Sequence, residues 1–141
     1  MQRILLGKGL DDLPFGASQD EVKAVLGEAE ETDELFMRGE LGGRDEKSVA
    51  WHYWNIGISV NFDEGQDYRL SSIDVAAPEV ELFGEALIGR SREDVKEFLD
   101  QQDIGTSVDE VQRGMIYPDA NLSLWFNGGD LEEIQWGVIE A

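Results

Sequence analysis

The chain repeats part of its own sequence, and this limits its possible folds more than any other feature. Phe15-Gly16-Ala17-Ser18-Gln19-Asp20-Glu21-Val22-Lys23-Ala24-Val25-Leu26 returns 73 residues later as Ile88-Gly89-Arg90-Ser91-Arg92-Glu93-Asp94-Val95-Lys96-Glu97-Phe98-Leu99. The run from Tyr53 to Gly65 returns from Tyr117 to Gly129 at an offset of 64, and Leu70-Ser71-Ser72-Ile73 returns as Leu131-Glu132-Glu133-Ile134 at an offset of 61. Three matches in the same order indicate a duplicated unit, and whatever one copy forms the other is expected to form too.

The local patterns say what that unit is. Ser18 with Glu21, and Ser91 with Asp94, have the spacing of a capping box ahead of an apolar stripe. Val22, Val25 and Leu26, like Val95, Phe98 and Leu99, fall at i, i+3 and i+4, which predicts helices near 18–27 and 91–101. Gly27 follows the first helix as a C-terminal cap. The period then drops to two. Ile58, Val60 and Phe62, and later Leu122, Leu124 and Phe126, alternate with polar positions. Asp63-Glu64-Gly65-Gln66-Asp67 and Asn127-Gly128-Gly129-Asp130 supply hairpin turns. Beyond them, Ile73 and Val75, and Ile134, Trp136 and Val138, continue the core side. Each unit thus reads as a helix followed by an antiparallel meander of three or four strands, near 49–76 and near 113–139. The class is α+β: two tandem helix-plus-meander repeats, 1–76 and 77–141, with helices on one sheet face. The boundary falls at Ala76-Ala77-Pro78, where small residues and a proline interrupt the strand pattern. Each unit alone is small for an independent core, so the two are expected to pack as one compact domain.

Charge narrows the partners. Eleven Lys and Arg stand against 31 Asp and Glu, a net charge of −20, shared as −9 over 1–76 and −11 over 77–141. A chain so poor in cations lacks the means to neutralise phosphates, which argues against nucleic acid or an anionic membrane as partner. A basic protein remains the natural electrostatic complement. The absence of Cys excludes disulfides, thiol nucleophiles and thiolate metal sites. The opening Met1-Gln2-Arg3-Ile4-Leu5-Leu6-Gly7 is too short in apolar residues for a signal peptide, so a cytoplasmic location is expected.

No motif announces catalysis. His52 is the sole histidine, and nothing in its spacing supplies metal co-ligands or a positioned Ser and Asp, so it reads as a strand residue on the open sheet face. Acidic pairs such as Asp11-Asp12, Glu30-Glu31 and Glu132-Glu133 are uninformative in so acidic a chain. Asp63–Asp67 lacks the ligand period of a calcium loop, and Gly7-Lys8-Gly9 and Leu41-Gly42-Gly43-Arg44 lack the P-loop pattern. No cofactor is expected.

The alternation does define a second face. With Tyr53 and Tyr117 turned to the core, His52 and Trp54 point away from the helices, together with Ser59, Asn61, Ser123 and Trp125. Asp74, Glu133 and Gln135 join them by the same parity. Trp54, Trp125, His52, Asn61, Asp74, Glu133 and Gln135 are therefore the candidate partner-binding residues, with exposed tryptophans as anchors.

Gly16-x-Ser18-x-x-Glu21-Val22-x-x-x-Leu26-Gly27-Glu28, Trp51-x-Tyr53 and Val60-x-Phe62-Asp63-x-Gly65 together resemble the unit of the small outer-membrane assembly lipoproteins. A similar helix-plus-meander unit occurs in tandem in the beta-lactamase inhibitory proteins. This chain has no cysteine for the lipid anchor of the first group or the disulfides of the second. The resemblance implies the architecture and the use of the sheet face as a binding surface. The leading expectation is a non-enzymatic acidic binding protein, an immunity protein or inhibitor that neutralises a toxin or enzyme by direct contact. The rivals are a general interaction domain of a salt-adapted organism and a carboxylate-dependent enzyme.

Overall fold

The structure, a computed structural model, describes residues 3–37, 46–110 and 113–139. Leu41–Arg44 lies outside the described residues. The chain begins with three short strands, β1 (Arg3–Leu5), β2 (Gly9–Leu10) and β3 (Leu13–Pro14), then helix α1 (Gln19–Leu26). Four longer strands follow: β4 (Glu31–Met37), β5 (Glu46–Tyr53), β6 (Ile58–Asp63) and β7 (Arg69–Val75). A second pass gives β8 (Glu81–Leu82), β9 (Glu85–Ala86), α2 (Arg92–Asp100), β10 (Val108–Glu110), β11 (Gly114–Tyr117), β12 (Leu122–Asn127) and β13 (Asp130–Gly137). The fold is α+β and mostly strand.

The long strands form one eight-stranded antiparallel sheet in the order β10-β11-β12-β13-β7-β6-β5-β4. Each helix is thus followed by four consecutively paired strands. The last strands of the two sets, β7 and β13, meet at the sheet centre through Ile134↔Val75 and Trp136↔Ile73. The short strands make a second sheet, β3-β2-β1-β8-β9, in which β1 and β8 run parallel.

Local chemistry explains the helices. The Ser18 hydroxyl accepts from the Glu21 N–H at 3.1 Å and the Glu21 carboxylate accepts from the Ser18 N–H at 3.1 Å, a complete capping box. In α2 the Ser91 hydroxyl accepts from the Asp94 N–H at 3.2 Å. Gly27 closes α1 at φ 83°, a conformation that favours glycine. Val22 and Leu26 turn inward, but Val25 is 52% exposed. In both helices the i and i+4 side chains face the sheet and the i+3 side chain lies at the margin, since Phe98 is only half-buried while Val95 and Leu99 are buried.

Helices and small sheet cover one face of the large sheet. A single buried cluster joins Ile58, Val60, Phe62, Ile73 and Val75 to Leu122, Leu124, Phe126, Ile134 and Trp136, with Val22, Val95 and Leu99 from the helices and Ile4, Leu10 and Leu82 from the small sheet. Val138 lies just past the end of β13 and is half-buried. The Trp136 indole N–H donates to the Gly9 carbonyl at 3.0 Å, which ties the two sheets together inside the core.

The two halves of the chain have further contacts in common. At α1's entry the Gly16 N–H donates to the Leu70 carbonyl and the Leu70 N–H to the Ala17 carbonyl, and at α2's the Gly89 N–H donates to the Leu131 carbonyl and the Leu131 N–H to the Arg90 carbonyl. Tyr53 and Tyr117 are both buried, and each hydroxyl reaches the end of the preceding helix, donating to the Gly27 carbonyl and to the Asp100 carboxylate respectively, both at 2.9 Å. Burial raises both phenols' pKa values, and the Asp100 carboxylate raises that of Tyr117 further.

Candidate binding face

The face of the large sheet turned away from the helices is built by register. Val108↔Ile116, Ile116↔Ser123, Ser123↔Gln135, Gln135↔Asp74, Asp74↔Ser59, Ser59↔His52 and His52↔Glu31 are successive partners. Eight strands thus contribute one residue each to a single transverse row. It runs from apolar Val108 and Ile116 through Ser123, Gln135, Asp74 and Ser59 to His52 and Glu31. A neighbouring row, Asp33-Ala50-Asn61-Ser72-Gly137, is made of small and polar residues.

Side-chain bonds lock the His52 end of the row. His52 lies between Asp33 and Ser59, with Nε2 2.8 Å from Asp33 Oδ2 and Nδ1 2.8 Å from Ser59 Oγ. With a proton on Nε2, toward the carboxylate, the neutral ring's Nδ1 is the acceptor for the Ser59 O–H. Trp54 stacks on the His52 ring at 4.5 Å with planes 4° apart, and its indole N–H donates to Glu31 Oε1 at 3.2 Å. Asn61 donates through Nδ2 to Ser72 Oγ at 3.1 Å. Ser48 donates to Asp63 Oδ1 at 2.8 Å in the next row.

The centre of the face is acidic. Asp74 hydrogen-bonds Glu133, which lies diagonally across the β7–β13 seam, two residues from Asp74's direct partner Gln135. Burial, and then the neighbouring Glu133 charge, push the Asp74 pKa up to about 8. The two carboxyls therefore favour sharing a proton across the β7–β13 seam, which Asp74's raised affinity supplies. Trp125 stands directly opposite Glu133 on β12 and is half-buried.

All seven sequence-predicted residues lie on or at the rim of this face, with one difference from expectation. Trp54 is not a strand residue. It opens the 3₁₀ turn Trp54–Ile56 after β5 and is 56% exposed. The two tryptophans stand apart on this face. Three strands separate β12 from β5, a spacing of roughly 19 Å at ~4.8 Å per strand, with the polar row between them. His52 is a strand residue on the open face as expected, and strand register, which the spacing around it does not reveal, brings Ser59 and Asp33 to its two ring nitrogens. The Ser–His–Asp connectivity is that of a hydrolase triad with the ring nitrogens exchanged. Here β6 lies between β5 and β7, and ladder bonding on both sides occupies its backbone N–H groups, so an oxyanion would have to take its donors from elsewhere.

Sequence reasoning missed Glu31 and Asp33. They lie on β4, the sheet edge, where every residue with a described side chain is exposed, so no apolar alternation marks the strand. Among the described residues no group of three or more His, Asp or Glu is placed to hold a metal ion, and no helix is long and apolar enough to cross a membrane.

No family model and no curated protein matches the chain. Two solved structures share its fold. An extracellular protein containing a SCP domain, from Bacillus anthracis str. Ames, aligns with a TM-score of 0.54 at 13% identity. The match covers 88% of this chain and 44% of that one, so the chain spans less than half of that protein's length. The uncharacterized protein yfeY from Escherichia coli aligns with a TM-score of 0.50 at 15% identity, covering 93% of this chain and 97% of that one. At such identities the likeness is one of fold.

Proposed function

We propose that this chain is a non-enzymatic binding protein that grips a basic protein partner with the open face of its eight-stranded sheet. In its most specific form it is a cytoplasmic immunity protein or inhibitor. The observation that carries this reading is the transverse row Glu31-His52-Ser59-Asp74-Gln135-Ser123. It is held from below by the sheet, flanked by Trp54 and Trp125, and turned away from both helices. Side chains already fixed by bonds to their neighbours lose little freedom on binding. Aromatic anchors supply affinity, and the −20 charge speeds encounter with a cationic surface. The same reading takes the two halves as tandem copies of one unit. The paired links Gly16–Leu70 and Gly89–Leu131 and the two helix-capping tyrosines support this, and so does the resemblance to the tandem inhibitory proteins.

A photo-crosslinking amino acid placed at Ser123 or Ser72, against controls at Asp20 and Glu97 on the helices, tests the reading in extracts of the native host. The expected result is one shared basic adduct from both open-face positions and none from the controls. Adducts from the helix positions alone, or none from any position, would overturn it. A general interaction domain of a salt-adapted organism predicts dispersed adducts without a common protein.

A second reading has one observation behind it, the Asp33-His52-Ser59 relay. If it activates Ser59 for acyl transfer, a fluorophosphonate will label Ser59 in the wild type and not in Ser59→Ala. The binding-protein reading expects no labelling.

A further inference from the structure

The indole of Trp54 is held in an unusual way for an exposed side chain. One ring face is covered by His52, nearly parallel at 4.5 Å, and the N–H edge is tied to Glu31. His52 is itself fixed by Asp33 and Ser59. The ring is thus oriented by two contacts, and since His52 covers one face, the other is left to contribute to the residue's 56% exposure. An aromatic face presented rigidly to solvent is a preorganised contact surface, since no rotamer freedom remains to be lost when a ligand covers it.

The surroundings select the ligand. Glu31 uses one carboxylate oxygen on the Trp54 N–H and Asp33 uses one on His52, and among the described residues the second oxygen of each has no donor. Glu30 lies alongside, accepting from the Asn55 N–H at 2.9 Å. An apolar side chain laid on Trp54 would strip water from these carboxylates without replacing it. A cation both covers the ring and pairs with the acids. Between the two cationic side chains, guanidinium is planar, more weakly hydrated and forked, so it can stack on the indole while donating sideways to a carboxylate. Ammonium offers only a point charge.

We propose that the outer face of Trp54, backed by His52 and rimmed by Glu31 and Asp33, is the seat for an arginine side chain of the partner protein. This rests on the open-face reading and adds to it the anchor that the partner must present. The site lies at the rim of the face, where β5 leaves the sheet, roughly 19 Å from Trp125 by strand spacing. It would therefore recognise a projecting loop or terminus, not the centre of the contact.

The test needs no identified partner. A 15N-labelled sample of the chain is titrated with acetyl-Gly-Arg-Gly-amide, with its lysine counterpart and with its citrulline counterpart, which keeps the shape and loses the charge. The reporters are the Trp54 indole N–H, assigned by Trp54→Phe, and the His52 ring. The expected result is a saturating shift at both reporters with the arginine peptide. Binding should be weaker by about threefold with lysine and absent with citrulline. Glu31→Gln, which keeps an acceptor for the indole and removes the charge, should weaken the arginine peptide by about threefold. Trp54→Leu should abolish the His52 response with the rest of the spectrum unchanged. No shift at Trp54 with the arginine peptide would overturn the proposal. So would shifts spread over both halves' acidic residues that survive Trp54→Leu. Crosslinks from Ser123 and Ser72 persisting beside a silent Trp54 would remove the arginine seat and leave the open-face reading standing.

Discussion

Asp74 sits where a carboxylate is hard to ionise, walled in by the sheet and facing the negative Glu133. Its folded pKa of about 8 lies well above its ordinary value of 3.8. Between those values the native protein holds a proton that the unfolded chain releases, so this group's contribution makes stability fall as pH rises through the window. Below the lower value both states are protonated and the effect vanishes. Asp74→Asn cannot ionise, and its amide can still donate to Glu133. In urea unfolding at pH 3, 5.5 and 8, the variant should match the wild type at pH 3 and gain on it steadily toward pH 8. Parallel profiles would mean that Asp74 is ionised in the folded state. The parity of Asp74, beside core residues Ile73 and Val75, is legible in the sequence. Its contact with Glu133 is not, because it depends on the register between strands that lie in different halves of the chain.

The elements that reasoning from the sequence reaches are those whose information is local. The capping box of α1, the glycine that ends it, the Gly128-Gly129 turn and the alternation of β6 and β12 are each written within a few residues. Two kinds of element escape it. The strands β2, β3, β8 and β9 have two residues each, too few to display a period. The edge strand β4 has no buried side to mark it, and with it went Glu31 and Asp33, half of the His52 cluster. The small sheet is nonetheless specified by chemistry at one point. Gly9 has φ +136°, and a Cβ there would lie 2.3 Å from the Leu13 carbonyl oxygen, while its own carbonyl accepts from Trp136. Gly9→Ala should destabilise the protein by more than about 2 kcal/mol. That corresponds to a fall of at least about 5 °C in the melting temperature. A melting temperature within about 1 °C of wild type would show that the β1–β3 segment is not fastened to the core as described.

At the scale of the molecule, the charge that the sequence shares evenly between its halves lies on both the helices and the open face. The helices and small sheet close one side of the large sheet, and the other side carries the ordered row and the arginine seat. If the acidity serves recognition, its position matters; if it serves only solubility or salt tolerance, its amount does. Two variants of equal net charge separate these cases. One neutralises the open face with Glu31→Gln, Asp33→Asn and Glu133→Gln. The other neutralises the exposed helix surfaces with Asp20→Asn, Glu93→Gln and Glu97→Gln. Removing three acids takes each from −20 to −17. The most direct test is the association rate of each with the crosslinked partner at low ionic strength. The open-face variant should associate about tenfold more slowly than wild type, and the helix variant within about twofold of it. Equal slowing of both, or slowing of the helix variant alone, would contradict a binding face on the open sheet.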